Sequence, residues 1–277
     1  MFHKFADNLQ CRSAGYFGMG VCEVKKYNRN RYIIKAAAIC IAAALIVTFG
    51  LHWLDVGFDS VFGQEKKLPI YSVDTKDKKI AISFDCAWGN EHTRPILDIL
   101  DQYDVKTTFF MVRFWTEKFP EDVLEIFNRG HEIGNHSATH PNMAKLSVED
   151  MTKELKGAED AIQKITGQKP IVFRPPFGAY SNSLIETCVA NGYYVIQWDV
   201  DSLDWKDITA EQIVDRVTRN VKPGSIVLFH NNAEHVEDYL PAILDKLKSE
   251  GYQIVPVGQL IMKENYHMDH AGKQVAD

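Results

Sequence analysis

From Lys78 onward the sequence predicts a parallel α/β fold, either a β/α barrel or an open sheet, on three observations. Short β-rich runs alternate with amphipathic helical stretches six or seven times. The longest helical stretch carries its own start and stop signals. Reactive side chains fall directly after successive strands, where a β/α fold gathers its loops.

Strands are expected at residues 80–84, 107–112, 132–134, 171–173, 194–198, 225–229 and 253–256. Helices are expected at residues 93–103, 121–129, 147–166, 183–190, 210–220 and 236–249. In the third helix Ser147 stands at the start with Asp150 three residues on, close to a capping box, and Gly167 stops it. Leu155, Ala158 and Ile162 fall on one side of that helix. Asp85 follows the first strand, His136 and His140 the third, and Arg174 to Phe177 the fourth. Asp199, Asp201 and Asp204 follow the fifth, and His230 ends the sixth. All are expected at C-terminal strand ends, the face on which a β/α barrel makes neighbours of residues distant in sequence.

The chain has 277 residues, 45% hydrophobic and 25% charged, which suits one sizeable domain plus a smaller segment. A formal charge of −6 supplies no broad basic field for a polyphosphate backbone, so nucleic acid is excluded and a neutral or weakly charged polymer fits better. Residues 32–51 are almost continuously apolar, broken only by Lys35, and predict one transmembrane helix over 32–52, since about 20 residues cross the hydrocarbon layer. Lys25, Lys26, Arg29 and Arg31 precede it and Asp55 and Asp59 follow. The positive-inside rule then places residues 1–31 in the cytoplasm and a linker at 53–77 plus the following domain outside the cell membrane. A cleaved signal peptide is the other reading, but the run exceeds the usual apolar core of about 7–15 residues and no small-residue cleavage site follows. Of Cys11, Cys22, Cys40, Cys86 and Cys188, only Cys86 and Cys188 face an oxidising side in this topology, so no disulfide framework is implied.

His136 and His140, four residues apart, are able to face one metal ion from a helical turn or compact loop, though surface polar residues share that spacing. Asp85 ends the apolar strand Ile80-Ala81-Ile82-Ser83-Phe84, where a charge is costly unless paired or catalytic. Arg174 is its natural partner, as a structural ion pair or as a group that keeps the carboxylate ionised for catalysis. Pro175, Pro176 and Gly178 stiffen the loop after Arg174, so that backbone N–H groups around Phe177 and Gly178 are expected to face a developing oxyanion. An aspartate such as Asp204 beside His230 fixes its tautomer and raises its pKa, as a general acid requires; a buried core histidine is the bland alternative. Trp205 offers a flat apolar surface for a sugar ring.

Ser83-Phe84-Asp85, His136-Ser137-Ala138-Thr139-His140, Arg174-Pro175-Pro176-Phe177, Asp204-Trp205 and Leu228-Phe229-His230 together resemble, in order, the five motifs of the NodB-homology polysaccharide deacetylases, carbohydrate esterase family 4. The likeness covers residues 78–262, leaving 263–277 as a C-terminal tail. Phe84-Asp85-Cys86-Ala87-Trp88-Gly89-Asn90 and the run from Trp198 to Trp205 look most like the membrane-anchored, sporulation-type branch that acts on peptidoglycan. The resemblance implies a distorted (β/α) barrel of about seven parallel strands and a divalent metal, zinc or cobalt. It implies Asp85 as general base, Arg174 as its orienting group, His230 as general acid tuned by Asp204, and His136 and His140 as metal ligands. Trp205, Leu228, Phe177 and Pro176 would line the groove, and the reaction would release acetate from an N-acetylated aminosugar.

One departure concerns the metal. The family's first motif is Asp-Asp-Gly with the second Asp a ligand, whereas this chain has Asp85-Cys86-Ala87. Either the Cys86 thiolate replaces that carboxylate, or Cys86 is a small buried residue, with Asn90 and Glu91 as nearby oxygen donors. An N-deacetylase, an O-acetyl esterase on the same fold and a non-catalytic glycan-binding protein are the functions carried forward.

Overall fold

The computed structural model describes residues 33–35, 37–47, 65–206 and 208–277. The chain divides into two units, Met1–Glu65 and Lys66–Asp277. In the first unit residues 33–35 and 37–47 are helical and expose Ile33, Ile39, Ile41, Leu45 and Ile46. Among the described residues no helix is long and apolar enough to cross a membrane. Residues 1–31, Tyr32, Ala36 and 48–64, which include both ends of the expected span, lie outside the described residues.

In the second unit, β1 is Ser72–Val73, β2 Lys79–Cys86, β3 Thr108–Met111, β4 Glu132–Asn135, β5 Val172–Phe173 and β6 Tyr194–Val195. β7 is Val200–Asp201, β8 Ile226–His230, β9 Gln253–Ile254, β10 Tyr266–Met268 and β11 Lys273–Ala276. Seven parallel strands in the order β6-β5-β4-β3-β2-β8-β7 form a half-barrel, with β9 joined to the start of β2. Its ends, β6 and β7, do not pair with each other. Of the strand expected at 194–198 only Tyr194–Val195 forms; residues 196–199 cross to the opposite edge, where β7 begins at Val200. Ile70 laces this side by bridging Ile196 and accepting from the Gln197 N–H at 2.7 Å.

Strand alternation sorts β2 into two faces. Ile80, Ile82, Phe84 and Cys86 join the large core shared with Ile96, Leu97 and Leu100 of helix Thr93–Gln102 and with Tyr239, Leu240 and Ile243 of helix Val236–Ser249. Ala81 joins the inner cluster with Phe110, Val172, Ile196 and Ile226, and Ser83 and Asp85 share that inner face with Arg174. Helices Ala210–Asn220 and Val236–Ser249 keep their expected bounds, and Ser147 caps helix Val148–Thr166 by accepting from the Asp150 N–H at 3.1 Å. Helix Arg113–Lys118, placed directly after β3, carries no such sequence signal and was not expected.

Residues 263–277 contain two strands: β11 pairs in parallel with β1 and antiparallel with β10 in a separate three-stranded sheet. Gly224 ties that sheet to the half-barrel, its N–H donating to the Lys79 carbonyl at 2.8 Å and its carbonyl accepting from the Val73 N–H at 2.9 Å. It sits at φ +83°, and a Cβ there would overlap the Val73 carbonyl oxygen. Gly224→Ala is therefore expected to lower unfolding stability by about 1–3 kcal/mol in urea melts.

Candidate active site

The parallel pairing of β2 with β8 sets Asp85 directly beside His230. Around them, the strand ends deliver the remaining groups. His136 follows β4 and Arg174 follows β5, locked together because the Arg174 N–H donates to the Asn135 carbonyl at 3.0 Å.

Arg174 is fully buried, and one of its Nη atoms donates to Asp85 Oδ1 at 2.8 Å. The other donates to Ser83 Oγ at 2.8 Å and to the Gln197 carbonyl at 3.3 Å. Its guanidinium lies 4.2 Å from the Phe110 ring centroid and 5.5 Å from that of Trp198. Burial alone would raise the Asp85 pKa. The charge of Arg174, with the hydrogen bond it donates, overrides it and holds the carboxyl below its usual range. Asp85 is a buried carboxylate kept ionised.

His230 is its counterpart. Its Nδ1 donates to Asp204 Oδ1 at 2.8 Å, and its backbone N–H donates to Asp204 Oδ2 at 2.8 Å. The Tyr239 hydroxyl donates to that same oxygen at 3.1 Å. Burial pushes the His230 pKa down, but the hydrogen bond and charge of Asp204, with Asp85 and Asp201 behind them, raise it above the ordinary histidine value. A carboxylate whose ionised form is favoured and an imidazole whose protonated form is favoured therefore stand side by side on neighbouring strands.

His136 Nδ1 is 2.7 Å from the Arg174 carbonyl, which only accepts, so Nδ1 carries the proton. Its Nε2 then presents a lone pair 3.5 Å from Asp85 Oδ2. His140 stands with its ring 5.0 Å from that of His136, and burial together with the charge of His136 pushes its pKa down to about 4. Both imidazoles are neutral near pH 7, the form that ligates metal.

Cys86 does not join them. One residue beyond Asp85, it turns to the opposite face of β2 and is fully buried in the outer core, where burial and the charges of Asp85 and Asp122 push its thiol well up. Among the described residues no group of three His, Cys, Asp or Glu side chains is placed to hold a metal ion. The side chains supply two donors of the three that the family uses, and they do not fit a three-ligand centre. Cys86→Ser is accordingly expected to leave zinc content unchanged, measured by elemental analysis, while costing about 1–3 kcal/mol of stability for a hydroxyl in an apolar core.

Asp199 is also displaced from the expected set. It lies before β7 and accepts from Ser225 Oγ at 3.0 Å and the Ile226 N–H at 2.9 Å, so it anchors the start of β8, away from the acid–base pair. Asp201 accepts from the Leu203 N–H at 2.9 Å. Leu228 and Pro176 are buried, whereas Phe177 and Trp205 are exposed. The Gly178 N–H donates to the Pro175 carbonyl at 3.1 Å and is not available to an oxyanion. Asn90 donates from Nδ2 to Asp122 of helix Pro120–Asn128, 2.7 Å away, and the Glu91 carboxylate accepts from the Asn90 N–H at 2.9 Å, so both are already engaged.

Ser83, present in the first motif but given no role there, and Tyr239, in no motif, are further parts of the site. Ser83 was within reach, because it lies two residues before Asp85 on the same strand face. Tyr239 arrives from a helix after β8 and left no local signal.

The polysaccharide deacetylase family model matches residues 72–196. The chain is 36% identical to the peptidoglycan-N-acetylmuramic acid deacetylase PdaC of Bacillus subtilis over 68% of its own length, and spans 40% of that relative. It is 34% identical to a peptidoglycan-N-acetylglucosamine deacetylase of Bacillus cereus, covering 69% of this chain and 71% of the relative. A solved pseudoenzyme of carbohydrate esterase family 4 from Bacillus anthracis, BA3943, superposes with a TM-score of 0.68 at 32% identity, over 75% of this chain and 70% of that one. Motif order, half-barrel and sequence likeness agree, and the chain belongs to the polysaccharide deacetylase family, carbohydrate esterase family 4.

Proposed function

We propose that this domain removes N-acetyl groups from the aminosugars of peptidoglycan by hydrolysis. The pairing of ionised Asp85 with protonated His230 across β2 and β8 carries the reading. Asp85 takes a proton from water, whose oxygen bonds to the acetyl carbonyl carbon. Arg174 holds the Asp85 carboxylate in place and in charge. The C–N bond breaks as His230 gives its Nε2 proton to the departing nitrogen, freeing the amine and acetic acid; the acid sheds its proton to solvent as acetate, and the proton on Asp85 passes to His230, restoring both groups. Asp204 keeps His230 in the tautomer and charge state that this requires. The family's divalent metal enters no step here, because the donor set is incomplete.

Acetate and free amine measured together test this, with full-length chain on chitooligosaccharide and on peptidoglycan, with and without added zinc or cobalt. Equal amounts of both are expected. Acetate without new amine would instead identify an O-acetyl esterase.

A second reading, glycan binding without turnover, is favoured by Cys86 in the place of the metal-binding carboxylate and by the likeness to the BA3943 pseudoenzyme. Binding with no acetate under any metal would establish it.

The same proposal puts the domain outside the cell membrane, anchored through residues 32–52, with spore-wall peptidoglycan as the substrate that the motif resemblance favours. Its support is the exposed apolar face of the described helical residues 33–35 and 37–47 and the basic residues before them. Protease added to intact spheroplasts should digest the domain; full protection would overturn this topology.

A further inference from the structure

Four consecutive strands of the half-barrel are followed by rings that touch in a line. They are Trp88 after β2, Phe114 after β3, His140 after β4 and Phe177 after β5. The Trp88 ring lies 6.5 Å from Phe114 and 5.0 Å from His140, and His140 lies 4.7 Å from Phe177. The acid–base set uses neither Trp88 nor Phe114. Yet Trp88 is 57% exposed and Phe114 37%, an unusual setting for a large apolar ring beside a polar cleft.

The backbone beneath Trp88 is firmly held. The Gly89 carbonyl accepts from Trp115 Nε1 at 2.6 Å and from Asn231 Nδ2 at 3.0 Å, and Asn90 Nδ2 donates to the buried Asp122 at 2.7 Å. Gly89 itself takes φ +61°, which turns the chain directly after the ring. A bare indole on a pinned loop is pre-organised, so little ordering cost remains when a ligand covers it. Further along the line, His140 and Phe177 hold positive φ values of 58° and 61°, backbone strain of the kind that concentrates at ligand sites.

A pyranose ring has flat C–H faces and polar edges, which suits an aromatic wall interrupted by a neutral imidazole. Trp205, also exposed, stands after β7, beyond His230 and away from this line in the strand order. The two aromatic sides leave the acid–base pair between them along the sheet.

We propose that Trp88, with Phe114 beside it, forms a subsite for a sugar ring that neighbours the reacting aminosugar in the same glycan chain. The inference rests on the glycan-hydrolase reading above and adds to it a preference for oligomers over single sugars. The probes are N-acetylglucosamine and tetra-N-acetylchitotetraose, titrated against full-length chain by ligand-observed NMR. Wild type should bind the tetramer at least about tenfold more tightly than the monomer, and Trp88→Ala should remove about tenfold from tetramer affinity while leaving the monomer within about twofold. Trp88→Phe should keep most of the tetramer affinity, and Phe114→Ala should repeat the loss in smaller measure. Equal loss for both ligands, or no loss for either, would overturn the subsite. Wild type binding monomer and tetramer equally would remove the subsite alone, whereas wild type binding neither would remove the glycan reading with it.

Discussion

Replacing Asp85 by Asn should cut acetate release by about 10²–10⁴-fold, the usual contribution of a positioned base, because the amide cannot accept the proton of water. Stability should fall as well. The fully buried Arg174 would lose its only carboxylate partner among the described contacts, and breaking a buried pair costs about 3–5 kcal/mol. The double variant Asp85→Asn with Arg174→Met separates the two effects. It should regain much of the stability in urea melts, since no charge is left stranded, and recover none of the activity. Recovery of activity would remove Asp85 from the base role. The sign with pH follows from the lowered pKa of Asp85: its stabilising contribution is present above the ordinary value of 3.8 and lost as pH falls through the folded-state value.

Asp204→Asn should act on the other half of the pair. Both influences that first raise the His230 pKa, a hydrogen bond and a charge, come from Asp204. Without them burial prevails, His230 loses its proton at lower pH, and the alkaline limb of the activity profile moves toward acid. The rate at neutral pH should drop by about 10²–10⁴-fold. An unchanged limb would show that another group is the acid. Stability moves oppositely to the Asp85 case. The raised pKa of His230 contributes fully below its ordinary value of 6.5 and is lost as pH rises through the folded-state value.

Much of this arrangement was legible in the sequence because strand and helix periods are local properties. The helices at 210–220 and 236–249 and the cap at Ser147 follow from side-chain spacing and turn chemistry over a few residues. So do the strand-end positions of Asp85, His136, Arg174 and His230. What failed depended on pairing across the chain. The run 194–198 has strand composition throughout, but its second half turns to cross the open side of the half-barrel, and only Ile70, far away in sequence, reveals why. Asp199 looked like a site residue until β8 supplied the N–H it accepts from. Cys86 is different, since alternation along β2 places it with Phe84 and away from Asp85 without reference to any partner.

The pairing of β1 with β11 bears on the order in which the domain is made. Strands β2 to β8 can assemble the catalytic face from residues 79–230, but Ser72 and Val73 must wait for Lys273 and Gln274. Closing so long a loop is among the slower events in folding. A chain emerging from its N-terminal side would thus spend its last interval with Asp85 and His230 already paired and β1 held by Gly224 and Ser225 alone.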